Sequence, residues 1–157
     1  MKFGRVRPIV DSRPTFCGMI MCSDYFERRI AMPALPWRHR HAIDPDHDYL
    51  VMASRLPLKA HRFIPGFLVD TLRIRRQLAR TEGLVAYALN AQLAHKTFWT
   101  YSVWIDQGSL DAFAGADPHR QIIDRLRSRM GESRFEFMRM RGAEIPSDWS
   151  AMQAPVR

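Results

Sequence analysis

The chain has 157 residues, 46% of them apolar and 25% charged. That is one domain's worth of globular composition, able to bury about two-thirds of its unfolded surface without a disulfide or a metal. The net charge of +8 comes from 24 basic residues, all but Lys2, Lys59 and Lys96 of them arginines. Acids are interspersed at Asp106, Asp111, Asp117 and Asp124, and no groove-reading motif accompanies the charge. We therefore read a solvated basic surface and expect no nucleic-acid partner. No apolar run is long enough for a membrane span, and the stretch Thr15 to Met21 is too short and broken for a signal peptide. Cys17 and Cys22 are half of a structural zinc set at most. A chain otherwise free of cysteine suits a reducing cytoplasm.

Residues 1–47 carry no sustained period, and Pro33, Pro36 and Pro45 punctuate their second half. They read as a largely irregular arm. Met32 offers a second start, on which residues 1–31 would be an upstream, non-native extension. The folded domain is expected over 48–146, with 147–157 as a tail that packs as a short turn around Trp149.

Within the domain the first strand spans Tyr49 to Leu56. Alternation puts Leu50, Met52, Ser54 and Leu56 on one face and Tyr49, Val51, Ala53 and Arg55 on the other. A helix starts near Pro65, whose missing N–H costs nothing in the first turn. Its apolar stripe is read along Leu68, Leu72, Arg75 and Leu78, and Gly83 is expected to end it. Strands follow over Leu84 to Ala91 and Lys96 to Ile105. The second is the strongest strand signal in the chain, with Phe98, Trp99, Tyr101, Val103, Trp104 and Ile105. The short link between them predicts a hairpin. A short helix over Ser109 to Ala114 has Asp106 or Ser109 as its cap. A second runs from about Pro118 to Met130 on the repeat Ile122, Leu126, Met130, and the last strand is Arg134 to Arg141.

The order is β-α-β-β-α-β. It predicts a ferredoxin-like α+β domain, a four-stranded antiparallel sheet with both helices on one face. The other face is expected bare, and a homodimer formed through it would cover it.

The segment SVWIDQGSLDAFAGADPHRQII, Ser102 to Ile123, resembles the signature stretch of the antibiotic-biosynthesis-monooxygenase-like proteins, the dimeric α+β barrels. The resemblance extends over 48–146. A looser one, an aromatic strand before a Pro-His-Arg turn, links the chain to spheroidene-type monooxygenases. It implies a monooxygenase-like enzyme, cofactor-independent or haem-dependent, acting on a small hydrophobic or aromatic substrate between helices and sheet. The alternative it leaves is a non-catalytic protein that holds a hydrophobic ligand or haem. Haem-degrading relatives use an Asn on the first strand, a Trp in the short helix and a haem-ligating His in the second helix. By motif position these fall on Ser54, Phe113 and Ile123, and isoleucine cannot ligate iron.

Ser54, Trp99, Tyr101, Trp104, Phe113 and His119 are the candidate pocket residues. His119 is the candidate general base, since imidazole titrates near neutrality; a histidine bonded to backbone after Pro118 is the plainer reading. Trp99 and Tyr101 share one strand face and Trp104 takes the other, so the three cannot line one pocket. Arg55 and Asn90, at strand ends, are candidates to anchor an anionic or carbonyl group. His39 and His41 form an HxH pair without a third ligand, so no metal site is expected.

Overall fold

In a computed structural model of the chain, residues 35–157 are described. Cys17 and Cys22 and the extension expected over 1–31 lie outside them. Five strands form one antiparallel sheet: β1 (Leu35–His39), β2 (Asp48–Pro57), β3 (Leu84–Gln92), β4 (Thr97–Trp104) and β5 (Arg134–Arg141). Their spatial order is β1-β3-β4-β2-β5. Strands β2 to β5 are the expected ferredoxin-like core, and the β3–β4 hairpin turns through Leu93–His95, with Lys96 at φ 53°. The fifth strand is a correction. The arm is not irregular throughout; its end pairs with β3 at Leu35↔Leu89 and His39↔Ala86. Arg40 then holds it by donating to the carbonyls of Leu78 and Ala79.

The helices of the core are α1 (Ile64–Leu78), α2 (Gln107–Gly115) and α3 (His119–Leu126). Pro65 sits in the first turn of α1, as its chemistry predicts. The helix ends at Leu78, earlier than Gly83 suggested. Gly83 has another use: at φ +74° it passes so close to α2 that a Cβ would lie 2.1 Å from Ser109 Oγ. Of the two candidate caps on α2, Asp106 is the one used, accepting from Ser109 N at 2.7 Å.

The buried stripe of α1 runs through Phe67, Asp70, Ile74 and Leu78, while Leu72 is exposed. The helix is thus rotated from the stripe expected, because a charged residue occupies the inner face.

Alternation along the strands separates two cores. On the helix side Leu50, Trp104 and Leu84 pack with Leu78, Leu110 and Phe113, and Leu56 and Phe98 pack with Phe67, Ile122 and Leu126. On the other side Tyr49, Val51, Trp99, Tyr101 and Val103 meet Met152 and Val156. That second face is not bare, another departure from expectation. The tail forms a helix, α4 (Trp149–Gln153), capped by Asp148, and a 3-10 turn over Ala154–Val156, and it lies on the sheet. At roughly 1.5–3 kcal/mol for each large apolar side chain removed from water, Met152 and Val156 offset part of the entropy lost on ordering this segment.

Candidate functional site

Between α1, α3 and the sheet lies a small cavity of about 110 Å³. Its floor is the helix-side row of the central strands. Ser54 and Thr100 face each other across β2 and β4, and their hydroxyls hydrogen-bond at 2.5 Å. Ser102 accepts from Trp104 Nε1 at 2.9 Å. Both pairs are satisfied internally, which is what a polar group in an apolar layer requires.

One end of the cavity is aromatic. Trp104 is fully buried and its ring lies 5.3 Å from Phe113, which in turn lies 4.6 Å from the His119 ring. Contacts of this kind contribute about 0.5–1.5 kcal/mol beyond burial and fix ring orientation. His119 is positioned from three directions. Its backbone N–H donates to Gln77 Oε1 at 3.0 Å, while Gln77 Nε2 donates to the carbonyls of Phe113 (3.3 Å) and Ala116 (3.4 Å). Its ring Nδ1 lies 3.2 Å from the Ala114 carbonyl. A carbonyl can only accept, so Nδ1 carries the proton and Nε2 keeps its lone pair. Burial lowers the imidazole's pKa below its usual 6.5, and the bond to Ala114 offsets part of that. The ring is therefore a neutral base at neutral pH. No side chain caps α3; the Asp117 carboxylate takes Gln121 Nε2 at 2.7 Å and pairs with Arg120.

The wall from α1 adds a group that the sequence did not single out. Asp70 is 5% exposed and lines the cavity. Arg125 of α3 reaches it at 2.7 Å, and Arg73 at 3.4 Å.

Of the residues singled out from sequence, Ser54, Trp104, Phe113 and His119 come together at this cavity, and so does Ile123. Trp99, Tyr101, Arg55 and Asn90 do not bring their side chains to it. Trp99 pairs in register with both Arg55 and Asn90, so all three project from the opposite face. There the Arg55 guanidinium sits 5.8 Å from the Trp99 ring centre. Tyr101 borders the cavity, but its side chain belongs to the tail-side cluster. Its ring packs edge-on against Trp37, its hydroxyl donates to Met140 Sδ at 3.6 Å, and burial pushes its pKa up to about 12. His39 stacks on Trp37. No group of three metal-ligating side chains occurs among the described residues, and none of their helices is long and apolar enough to cross a membrane.

A larger cleft of about 920 Å³ opens on the far side of Phe113. Its arginines, Arg73, Arg76 and Arg80, are matched by Glu82, Asp106 and Asp117. We read it as a solvated groove of balanced charge. The smaller cavity, with its dry walls and few convergent polar groups, has the character of a ligand site.

No family model and no curated protein matches this sequence. Solved structures do match in shape. One is an antibiotic biosynthesis monooxygenase, 14% identical, with a TM-score of 0.52 over 57% of this chain and 95% of that one. The fold is that of the antibiotic-biosynthesis-monooxygenase-like proteins. A Fusobacterium nucleatum protein provisionally named a monooxygenase is 12% identical, with a TM-score of 0.57 over 66% of this chain. This chain spans 48% of that protein's length. A haem-degrading enzyme from Listeria monocytogenes is 19% identical, with a TM-score of 0.52 over 66% of this chain and 67% of its own. At such identities the likeness carries the fold and leaves the reaction to the residues.

Those residues do not fit haem. At the place expected from the resemblance for the ligating histidine the chain has Ile123, which cannot ligate iron. His119 keeps Nε2 free while Ala114 holds Nδ1, which by itself suits a metal ligand, but a cavity of about 110 Å³ is far smaller than a tetrapyrrole.

Proposed function

We propose that the chain is a small oxygenase working without a cofactor on a hydroxylated aromatic molecule in the helix-side cavity, with His119 as its general base. The observation that carries this reading is the state of His119, a neutral imidazole with Nδ1–H held by the Ala114 carbonyl. No described residue bonds its Nε2. In the proposed step Nε2 takes the phenolic proton. The electron-rich phenolate then reacts with O₂ at a ring C–H, one oxygen becoming the new carbonyl and the other leaving as water. The substrate supplies all the electrons: a phenol and O₂ give a quinone and water. Dry walls favour this by keeping water from the anion. Ser54, Trp104 and Phe113 line the place where the ring would lie.

Oxygen uptake with hydroxylated arenes of one to three rings, compared with His119→Ala, is the test. Uptake by the native chain and a fall of 10²-fold or more in the variant is expected of a general base. Equal turnover would remove His119 from the chemistry. One observation favours a second reading, a binding protein for a hydrophobic ligand: His119 is oriented by a backbone carbonyl, not by a carboxylate. That reading expects ligand retention and no oxygen uptake. A homodimer remains part of the proposal, but its surface shifts. With one sheet face covered by the tail, the exposed apolar residues Phe135 and Phe137 of edge strand β5 are the better candidates.

A further inference from the structure

The carboxylate in the α1 wall restricts what the cavity can hold. Both arginines approach the same oxygen of Asp70: Arg125 Nη2 is 2.7 Å and Arg73 Nη1 3.4 Å from Oδ1. No described residue donates to Oδ2. Nor is Oδ2 sealed in, since the buried side-chain atoms left without a partner among the described residues are Trp99 Nε1 and Gln153 Nε2. Asp70 is thus a buried lining residue whose Oδ2 keeps some accessible surface and has no donor among the described residues.

The hydroxyls of the sheet floor and of Thr71 are spoken for, whereas His119 Nε2 is a second open acceptor at the cavity. Ser54 and Thr100 bond each other, Ser102 accepts from Trp104, and Thr71 Oγ1 donates to the Phe67 carbonyl. Arg75 and Tyr87 also border the cavity. Against its apolar walls, then, stands a carboxylate paired to two guanidinium groups through Oδ1, with Oδ2 left as an acceptor. A ligand that lacks a donor would leave this oxygen unpaired in a closing pocket, which costs more than the bond itself contributes. Size adds a second restriction. About 110 Å³ is on the scale of a cavity of ~150 Å³ that accepts one benzene ring.

We infer that Asp70 turns Oδ2 to the cavity as a specificity-determining group, and that it selects a single-ring aromatic molecule with an O–H or N–H, other than the hydroxyl His119 would deprotonate, that donates to it. This rests on the cavity being the ligand site, as proposed above. It adds the ring count and the donor, neither of which that proposal requires.

The experiment is calorimetric titration of the full chain with phenol, anisole and 1-naphthol, repeated on Asp70→Asn. Phenol should bind at least tenfold more tightly than anisole, its methyl ether, and more tightly than 1-naphthol. In the variant the phenol-to-anisole ratio should fall severalfold while anisole binding is unchanged. Equal binding of phenol and anisole by the native chain would overturn the role of Asp70 and leave the cavity reading standing. No binding of any ring would remove both. Tighter binding of 1-naphthol would overturn the size restriction. Should Asp70→Asn fail to fold, seen by circular dichroism, His119→Gln decides the donor question: a phenol-to-anisole ratio unchanged from the native chain supports Asp70 as the acceptor, and a lost ratio overturns it.

Discussion

The two faces of this sheet are built from the same strands and end in different states. On β4, Thr100, Ser102 and Trp104 project toward the helices, and Trp99, Tyr101 and Val103 project toward the tail. The helix side keeps a cavity, with its hydroxyls paired and Asp70 and His119 at the walls. The tail side is filled, by Met152 and Val156 from the C-terminal segment and Trp37 from the arm. Two layers of similar apolar content differ because of what covers them. Helices pack on a sheet as rigid cylinders and leave gaps where a small or polar residue faces the strand. The tail and the end of the arm cover the middle of the other face, and the space of about 320 Å³ beside Tyr49 and Val85 lies at the segment His41–His47.

The largest expected effect tests whether the helix-side layer bears weight despite its cavity. Trp104 is fully buried against Phe113. Trp104→Ala should cost about 3–5 kcal/mol, measured as the shift in urea unfolding midpoint at unchanged slope. A cost under about 1 kcal/mol would mean that the cavity's neighbours collapse into the gap, and that the contrast between loose and filled faces is drawn too sharply.

A somewhat smaller loss is expected on the other face. Met152→Ala removes the side chain that helps seat α4, and should cost about 2 kcal/mol, near the low end for such truncations because a chain end can readjust. The informative measurement is the double variant. With the sheet between the two sites, the losses should add within about 0.5 kcal/mol. A larger interaction would show that the faces act as one core, and the comparison would fail.

Much of this layout could be read from the residues, and the parts that could not have definite causes. The strand Arg134–Arg141 was expected over the span it occupies, and the central strands shifted by a residue or two, because alternation and aromatic or branched side chains are local signals. The opposed projection of Trp99 and Trp104 followed from the same alternation. The inner stripe of α1 was misplaced because Asp70 interrupts it. A carboxylate reads as surface until its partner is known, and Arg125 lies 55 residues away in sequence. Strand β1 was missed because it follows directly on a proline-punctuated stretch. Helix α4 has five residues, too few to show a period. The same limits apply to the site. Ser54, Phe113 and His119 could be named, whereas Gln77 and Asp70 owe their roles to neighbours that only the fold supplies.

The smallest effect we expect separates the faces by pH. His119, on the cavity side, has its pKa lowered from 6.5 by burial. The unfolded chain therefore takes up a proton at His119 at a higher pH than the native chain does. Stability contributed by the neutral ring is fully present above about pH 6.5 and is lost as pH falls toward the native value. Carboxylates titrate lower still, and the other histidines are common to both proteins in a comparison with His119→Gln. Between pH 7.5 and 5.5 the native chain should lose more stability than the variant, measured as unfolding midpoints at each pH. Parallel curves would mean that the imidazole sits as comfortably charged as neutral. The pocket would then be wetter than its walls suggest, and the neutral base on which the proposed chemistry depends would lose its physical support.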